Sequence, residues 1–302
     1  MLASQDEADA VRSQYGYGAG PQSGSQRIEN DTDFVAFVQG YGRSIDLSNR
    51  DGVLGISANS WGVVAGVANQ LSDETMLGLL IGYDSFDGTV NDNGGSVDVD
   101  TIRVGPFFSW SDGSWIVDAA VTGGYNQWNG TNNTGLGNNG LYNWDTTGYQ
   151  IDTSVGLGYS IPVGGGINLI PEGSLVYSFL HTDSYSGVNT TQQTYKVSSS
   201  DMNAFIPRLG MTAQFNFISG VILEGRAGWQ GNYTTGGGVD TKIDNIGGLP
   251  TTADSVNRNN IYYGAQVTWM PDWNYGLSLQ YEGQSGDGTN EQSIIGSFNF
   301  DF

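Results

Sequence analysis

Apolar and polar residues alternate with a period of two along most of the chain. Ile102, Val104, Pro106, Phe108 and Trp110 alternate with Thr101, Arg103, Gly105 and Ser109; next, Trp115, Val117, Ala119, Val121 and Tyr125 alternate with Asp118, Ala120, Thr122, Gly124 and Asn126. The same rhythm runs through 151–161, 209–217, 221–229 and 261–269. A period of two puts successive side chains on opposite faces of a strand, so each stretch reads as a strand with one apolar face. About twelve strands are predicted: 34–46, 57–71, 75–88, 97–111, 114–129, 145–162, 166–181, 202–218, 220–233, 258–270, 274–285 and 292–302.

The predicted connections alternate in length. Short ones at Ser72–Glu74, Ser111–Gly113, Gly164–Gly166, Ser219 and Pro271–Asn274 are separated by long polar ones such as Asn129–Asn143 and Thr234–Asn257. Long loops therefore gather at one end. Even strand number, strands long enough to cross a bilayer at a tilt, and apolar faces ending on Trp, Tyr and Phe predict a twelve-stranded antiparallel transmembrane β-barrel. Closure also leaves no strand edge unpaired in hydrocarbon. The alternative on pattern alone is a soluble β-sandwich, jelly roll or propeller.

Composition narrows the field. Glycine reaches 47 of 302 residues, which disfavours helix at about 1 kcal/mol for each interior position. Aromatics at 12% speak against disorder. The longest apolar run, Met76–Tyr83, is far short of a membrane-spanning helix. Absence of cysteine excludes disulfides and thiolate metal sites, and the single His181 excludes a histidine-rich one, so neither metal nor cofactor is expected. The formal net charge of −21 argues against nucleic acid as a partner. The opening residues lack the basic and apolar regions of a signal peptide, so an exported form is expected to be a mature fragment behind Met1.

Charges on the non-lipid face are the candidate functional residues, because a charge facing lipid near the midplane costs about 2–4 kcal/mol. Strand parity places Arg103, Asp118, Asp152, Glu172, Arg208, Glu224, Arg226 and Glu282 towards the lumen. They are expected to pair with one another in a hydrated interior, and an open pore would weakly prefer cations. His181 lies beside Thr182, Asp183 and Ser184 at a strand end, without the nucleophile–base arrangement that hydrolysis needs, so no enzymatic activity is expected.

The residues Ile261–Phe302 resemble the last three strands of the autotransporter β-domain family, with a Tyr281-Glu282-Gly283 triplet in the penultimate strand and Phe298, Phe300 and Phe302 in the last. Phe37–Gly42 resembles the family's first strand, Ser60–Tyr83 its second hairpin element and Gly113–Asn126 its fifth strand. The resemblance implies a barrel at residues 31–302, in the bacterial outer membrane, that anchors and exports an N-terminal passenger. It also implies a preceding segment within the pore. Residues 1–30 read as a linker, with a short pore helix over Ala3–Gln14 as the alternative. Phe298, Phe300 and Phe302 would double as a signal for the barrel-assembly machinery. Some family members cut the passenger free at a pore Asn, for which Asn30-Asp31 is the nearest match. The expected partners are outer-membrane lipid, the assembly machinery and the protein's own passenger, with the barrel a monomer. A standalone porin or small-solute channel is the competing function, and an adhesin with ligand-binding loops a third.

Overall fold

The computed structural model describes residues 34–49, 54–72, 74–92, 94–133, 141–189, 194–218, 220–243, 247–251, 257–272 and 275–301. The proposed linker or pore helix at residues 1–30, the Asn30-Asp31 junction and Phe302 lie outside them. Strands occupy nearly all of the rest: β1 (Phe34–Leu47), β2 (Ile56–Ser72), β3 (Thr75–Val90), β4 (Gly95–Ser111), β5 (Trp115–Asn133), β6 (Leu141–Tyr159), β7 (Ile161–Gly164), β8 (Ile167–Thr182) and β9 (Tyr185–Asn189). They continue with β10 (Thr194–Val197), β11 (Ser200–Ile218), β12 (Val221–Gly236), β13 (Val239–Ile243), β14 (Gly247–Thr251), β15 (Asn257–Asp272), β16 (Tyr275–Gly286) and β17 (Thr289–Asp301).

Twelve of these are staves of one closed antiparallel barrel, in the order β1, β2, β3, β4, β5, β6, β8, β11, β12, β15, β16 and β17. The seam runs from Val35↔Asp301 to Leu47↔Thr289, so β1 and β17 pair along almost their whole length. The twelve-stranded antiparallel barrel expected from the alternation is the observed fold. Short turns link β2 to β3, β4 to β5, β7 to β8, β11 to β12 and β15 to β16, and mark the inner rim. At Gly164, Gly165 and Gly166 the backbone has φ of +92°, +63° and +76°, a path that side chains with a Cβ rarely follow.

Another inner turn is held by a carboxylate. Asp112 Oδ1 accepts hydrogen bonds from the backbone N–H of Ser114 at 2.9 Å and of Trp115 at 2.7 Å. These donors hold the Asp112 carboxyl below the usual carboxylate range. A pKa lowered on folding gives stability that is present above the unfolded pKa and lost as pH falls through the folded one. Asp112→Ala is therefore expected to lower the thermal midpoint at pH 7, with the difference from wild type shrinking towards zero below the folded pKa; an unchanged difference across that range would refute the assignment.

Outer connections depart from the expected uniform length. β16 and β17 are joined by the tight turn Asp287–Gly288, and β3 and β4 by residues 91–94. These strands extend past the apolar band and carry their polar residues in strand conformation.

The outward face of the band is apolar, with Val63, Leu79, Ile81, Val104, Ile151, Leu209 and Ile261 among its exposed residues. Aromatic pairs border it: Trp115–Tyr159 at 4.8 Å by the inner rim, Trp61–Tyr83 at 5.4 Å and Tyr263–Tyr281 at 6.5 Å towards the outer one. Such residues suit the bilayer–water boundary. Nearer the outer end the polarity reverses. On β3 the outward apolar set Leu77, Leu79 and Ile81 gives way to inward Phe86 and Val90 with outward Asp87. On β4, Val97 and Val99 point inward while Asp98 and Asp100 are exposed. The expectation that apolar positions face lipid thus fails above the band, where strands standing in water bury their apolar side in the barrel's interior.

Glycine has a definite place in this wall. Inward glycines receive an aromatic ring from a nearby strand: Phe37 covers Gly66, Phe107 covers Gly78, and Tyr262 covers Gly210 and Gly228. Rings lying flat over bare backbone fill the space that missing side chains leave.

Candidate functional site: the charged lumen

Every arginine among the described strand residues, namely Arg43, Arg103, Arg208, Arg226 and Arg258, sits at an inward parity position. Inward carboxylates answer them at several heights. Arg103 Nη2 lies 3.2 Å from Asp84 Oδ1, which also accepts a hydrogen bond from the Tyr41 hydroxyl. All three are held over Gly62 and Gly82, where a Cβ would meet Asp84 and Tyr41 in one case and Arg103 in the other. On β6, Gln150 donates to Asp152 Oδ2 at 2.7 Å, both buried. Asp118 is half-buried on the inward face of β5.

Across the barrel, Arg208 on β11 reaches past two strands to pair with Glu282 on β16. Its guanidinium passes 4.1 Å above the Tyr262 ring, a cation–π contact on the way. Tyr262 donates to Glu172 Oε1 at 3.2 Å, and Thr212 donates to Oε2 of the same carboxylate at 3.2 Å. Glu224 pairs with Arg226 at 3.3 Å on the same strand and accepts from Gln214 at 3.0 Å; Arg226 also donates to Gln266 at 3.1 Å. At the seam Arg43 lies 3.1 Å from Glu291, which takes a further hydrogen bond from Gln284 at 2.7 Å.

The eight charges selected from sequence thus stand on the inward face, and Tyr41, Arg43, Asp84, Arg258, Tyr262 and Glu291 join them. Asp84 has the parity of Gly78 and Gly82 and was readable; it was masked by the apolar run before it. Glu291 precedes the predicted start of the last strand at 292. Arg43 follows glycines that blank out the alternation of β1.

His181 faces outward. Its Nδ1 is 2.6 Å from Asp201 and its Nε2 3.4 Å from Asp183, while the ring stacks on Tyr149 at 4.8 Å. Carboxylates on both nitrogens orient the imidazole, and the contacts hold no hydroxyl nucleophile. Among the described residues no group of three or more His, Cys, Asp or Glu is placed to hold a metal ion. Phe298 and Phe300 face outward on β17 at 42% and 41% exposure. No helix of the described residues is long and apolar enough to cross a membrane.

A family model, the autotransporter β-domain, matches residues 36–293. The chain belongs to the autotransporter β-domain family. Solved structures agree in fold. The translocator domain of the autotransporter NalP from Neisseria meningitidis superposes with a TM-score of 0.79 at 13% identity, covering 100% of this chain and 99% of that one. The β-domain of the Bordetella autotransporter BrkA gives 0.69 at 16% identity, over 89% of this chain and 100% of that one. The transport unit of AIDA-I from Escherichia coli gives 0.65 at 16%, over 100% and 98%. No curated protein sequence matches this chain. The autotransporter β-domain is a transport domain, and the lumen of this member is its candidate working surface.

Proposed function

We propose that this β-domain is an outer-membrane anchor and translocator for a passenger N-terminal to β1, with no chemical reaction of its own. The observation that carries this reading is the closed barrel, apolar and aromatic-girdled outside and lined by paired charges inside. A polypeptide moving past such a lining exchanges water and polar contacts, not a binding pocket, which suits a cargo of varied sequence. Because β1 begins at the inner rim, a passenger displayed outside must cross the lumen to reach its anchor. The remaining proposals follow: lipid against the outward face, a monomeric barrel, and assembly machinery that reads the outward Phe298 and Phe300.

The test joins a folded reporter to the N-terminus of the chain behind an export signal. The expected result is a heat-modifiable band in the outer-membrane fraction and a reporter cut by protease added to intact cells. A barrel that inserts while the reporter stays inside would overturn the translocator reading in favour of a channel without cargo.

A further inference from the structure

Above the outer aromatic border the barrel changes character. β8, β11 and β12 each have a two-residue break, at 183–184, 198–199 and 237–238, with β9, β10 and β13 beyond it. The breaks share one level, since Ser200↔Thr182 and Met202↔Gly236 close the ladders just below them. Beyond the breaks the three short strands still pair, β9 with β10 and β10 with β13, and β6 carries the ladder to β9 through Tyr142↔Asn189. They form a flap joined to the wall at three short breaks.

The underside of the flap is not exposed to the lumen as an ordinary wall would be. Tyr195 on β10 is 2% exposed, meets Tyr142 edge-on at 5.0 Å, and accepts a hydrogen bond from Asn132 on β5 at 2.8 Å. β6 and β9 stand between β5 and β10 in the ladder. Strands spaced about 4.8 Å apart put β5 and β10 some 14 Å from one another along the wall. Their side chains touch because the flap folds inward. Trp144 stacks on Tyr185 at 4.8 Å, and Leu47, Ile56, Phe86, Val97 and Trp128 complete the same buried apolar cluster from β1–β5.

We infer that β9, β10 and β13 are a lid that closes the outer mouth over the β1–β6 side. It hinges at the three breaks and is held shut by burial of Tyr195 among the upper ends of those staves. A dry apolar contact excludes hydrated solutes, and it re-forms without a ligand once whatever parted it has left. This closure goes beyond the translocator reading, because it holds whichever cargo the barrel carries.

Because the native chain has no cysteine, single introduced thiols report on it cleanly. Val97→Cys places a thiol under the lid and Asp98→Cys places one on the outward face of the same strand. With a membrane-impermeant thiol reagent added outside, and only the heat-modifiable species scored, Val97→Cys is expected to react at least about tenfold more slowly than Asp98→Cys. Tyr195→Ala in the same background is expected to raise the Val97→Cys rate at least about threefold and leave the Asp98→Cys rate alone. Val99→Cys is the second reporter should the first not fold. Rates for Val97→Cys and Asp98→Cys within tenfold, or no response to Tyr195→Ala in a folded barrel, overturn the lid.

Discussion

Asp84→Ala is expected to cost the barrel about 3 kcal/mol, the order of loss found when one member of a buried ion pair is removed. The Asp84 side chain is 1% exposed, and its Oδ1 takes both the Arg103 guanidinium and the Tyr41 hydroxyl. Both partners are positioned over glycines that leave them little other room. Truncation deprives two buried donors of the same acceptor, and the hydroxyl then bears a desolvation cost with no return. Urea titration in lipid vesicles, followed by the gel shift between folded and unfolded barrel, measures the loss. Asp87→Ala, three residues on with its side chain outside, is the control and should stay within about 0.5 kcal/mol of wild type. Equal effects at the two positions would mean that the lumen pair contributes nothing to stability. Asp84→Asn retains an acceptor for Tyr41 and is expected to fall between the two.

The second large effect is steric. A Cβ at Gly78 would overlap the Phe107 ring and come within 2.6 Å of the Val67 carbonyl oxygen. The ring can tilt, but the carbonyl belongs to the neighbouring ladder and cannot withdraw without breaking it. Gly78→Val is expected to destabilise by about 3 kcal/mol, the upper end for overpacking. Adding Phe107→Leu should restore part of this and never all, because it relieves only the ring. Gly123→Ala is the contrasting case: no atom lies within 4 Å of its added Cβ, so the change is expected to be neutral or stabilising by up to about 0.5 kcal/mol. The same urea titration ranks the four proteins. Gly78→Val as stable as Gly123→Ala would show that the ring-over-glycine packing is dispensable.

The barrel was legible in the chain because its determinant is local. Ile102 to Trp110 and Trp115 to Tyr125 announce strands by alternation alone, and turn residues such as Gly164–Gly166 space them. Inward charges were legible for the same reason, since a carboxylate at the parity of its strand's glycines has only one side to occupy. What alternation cannot give is the sign of the pattern. Trp128, Tyr142 and Trp144 keep period two but point inward, since above the bilayer the solvent has moved to the other face. The short strands β9, β10 and β13 were hidden in stretches rich in Ser, Thr, Asn and Gly, whose pairing is set by β6 and the neighbouring staves. Pairings that cross strands, such as Arg208 with Glu282 or Asn132 with Tyr195, depend on barrel curvature, which one-dimensional pattern does not encode.

The seam between β1 and β17 has a kinetic consequence. Hairpins such as β2–β3 close loops of a few residues, whereas the seam joins the two ends of the described barrel. On a (3/2)RT ln n scale that last closure carries about 4 kcal/mol more loop entropy than a tight hairpin, so most other staves can find their partners before it. Until it forms, β1 and β17 each present a full edge of unsatisfied amides, a species prone to pairing with other chains. Arg43 and Glu291, set across that edge, lock it only at the end, so the lifetime of the open sheet governs whether the chain becomes a barrel or an aggregate.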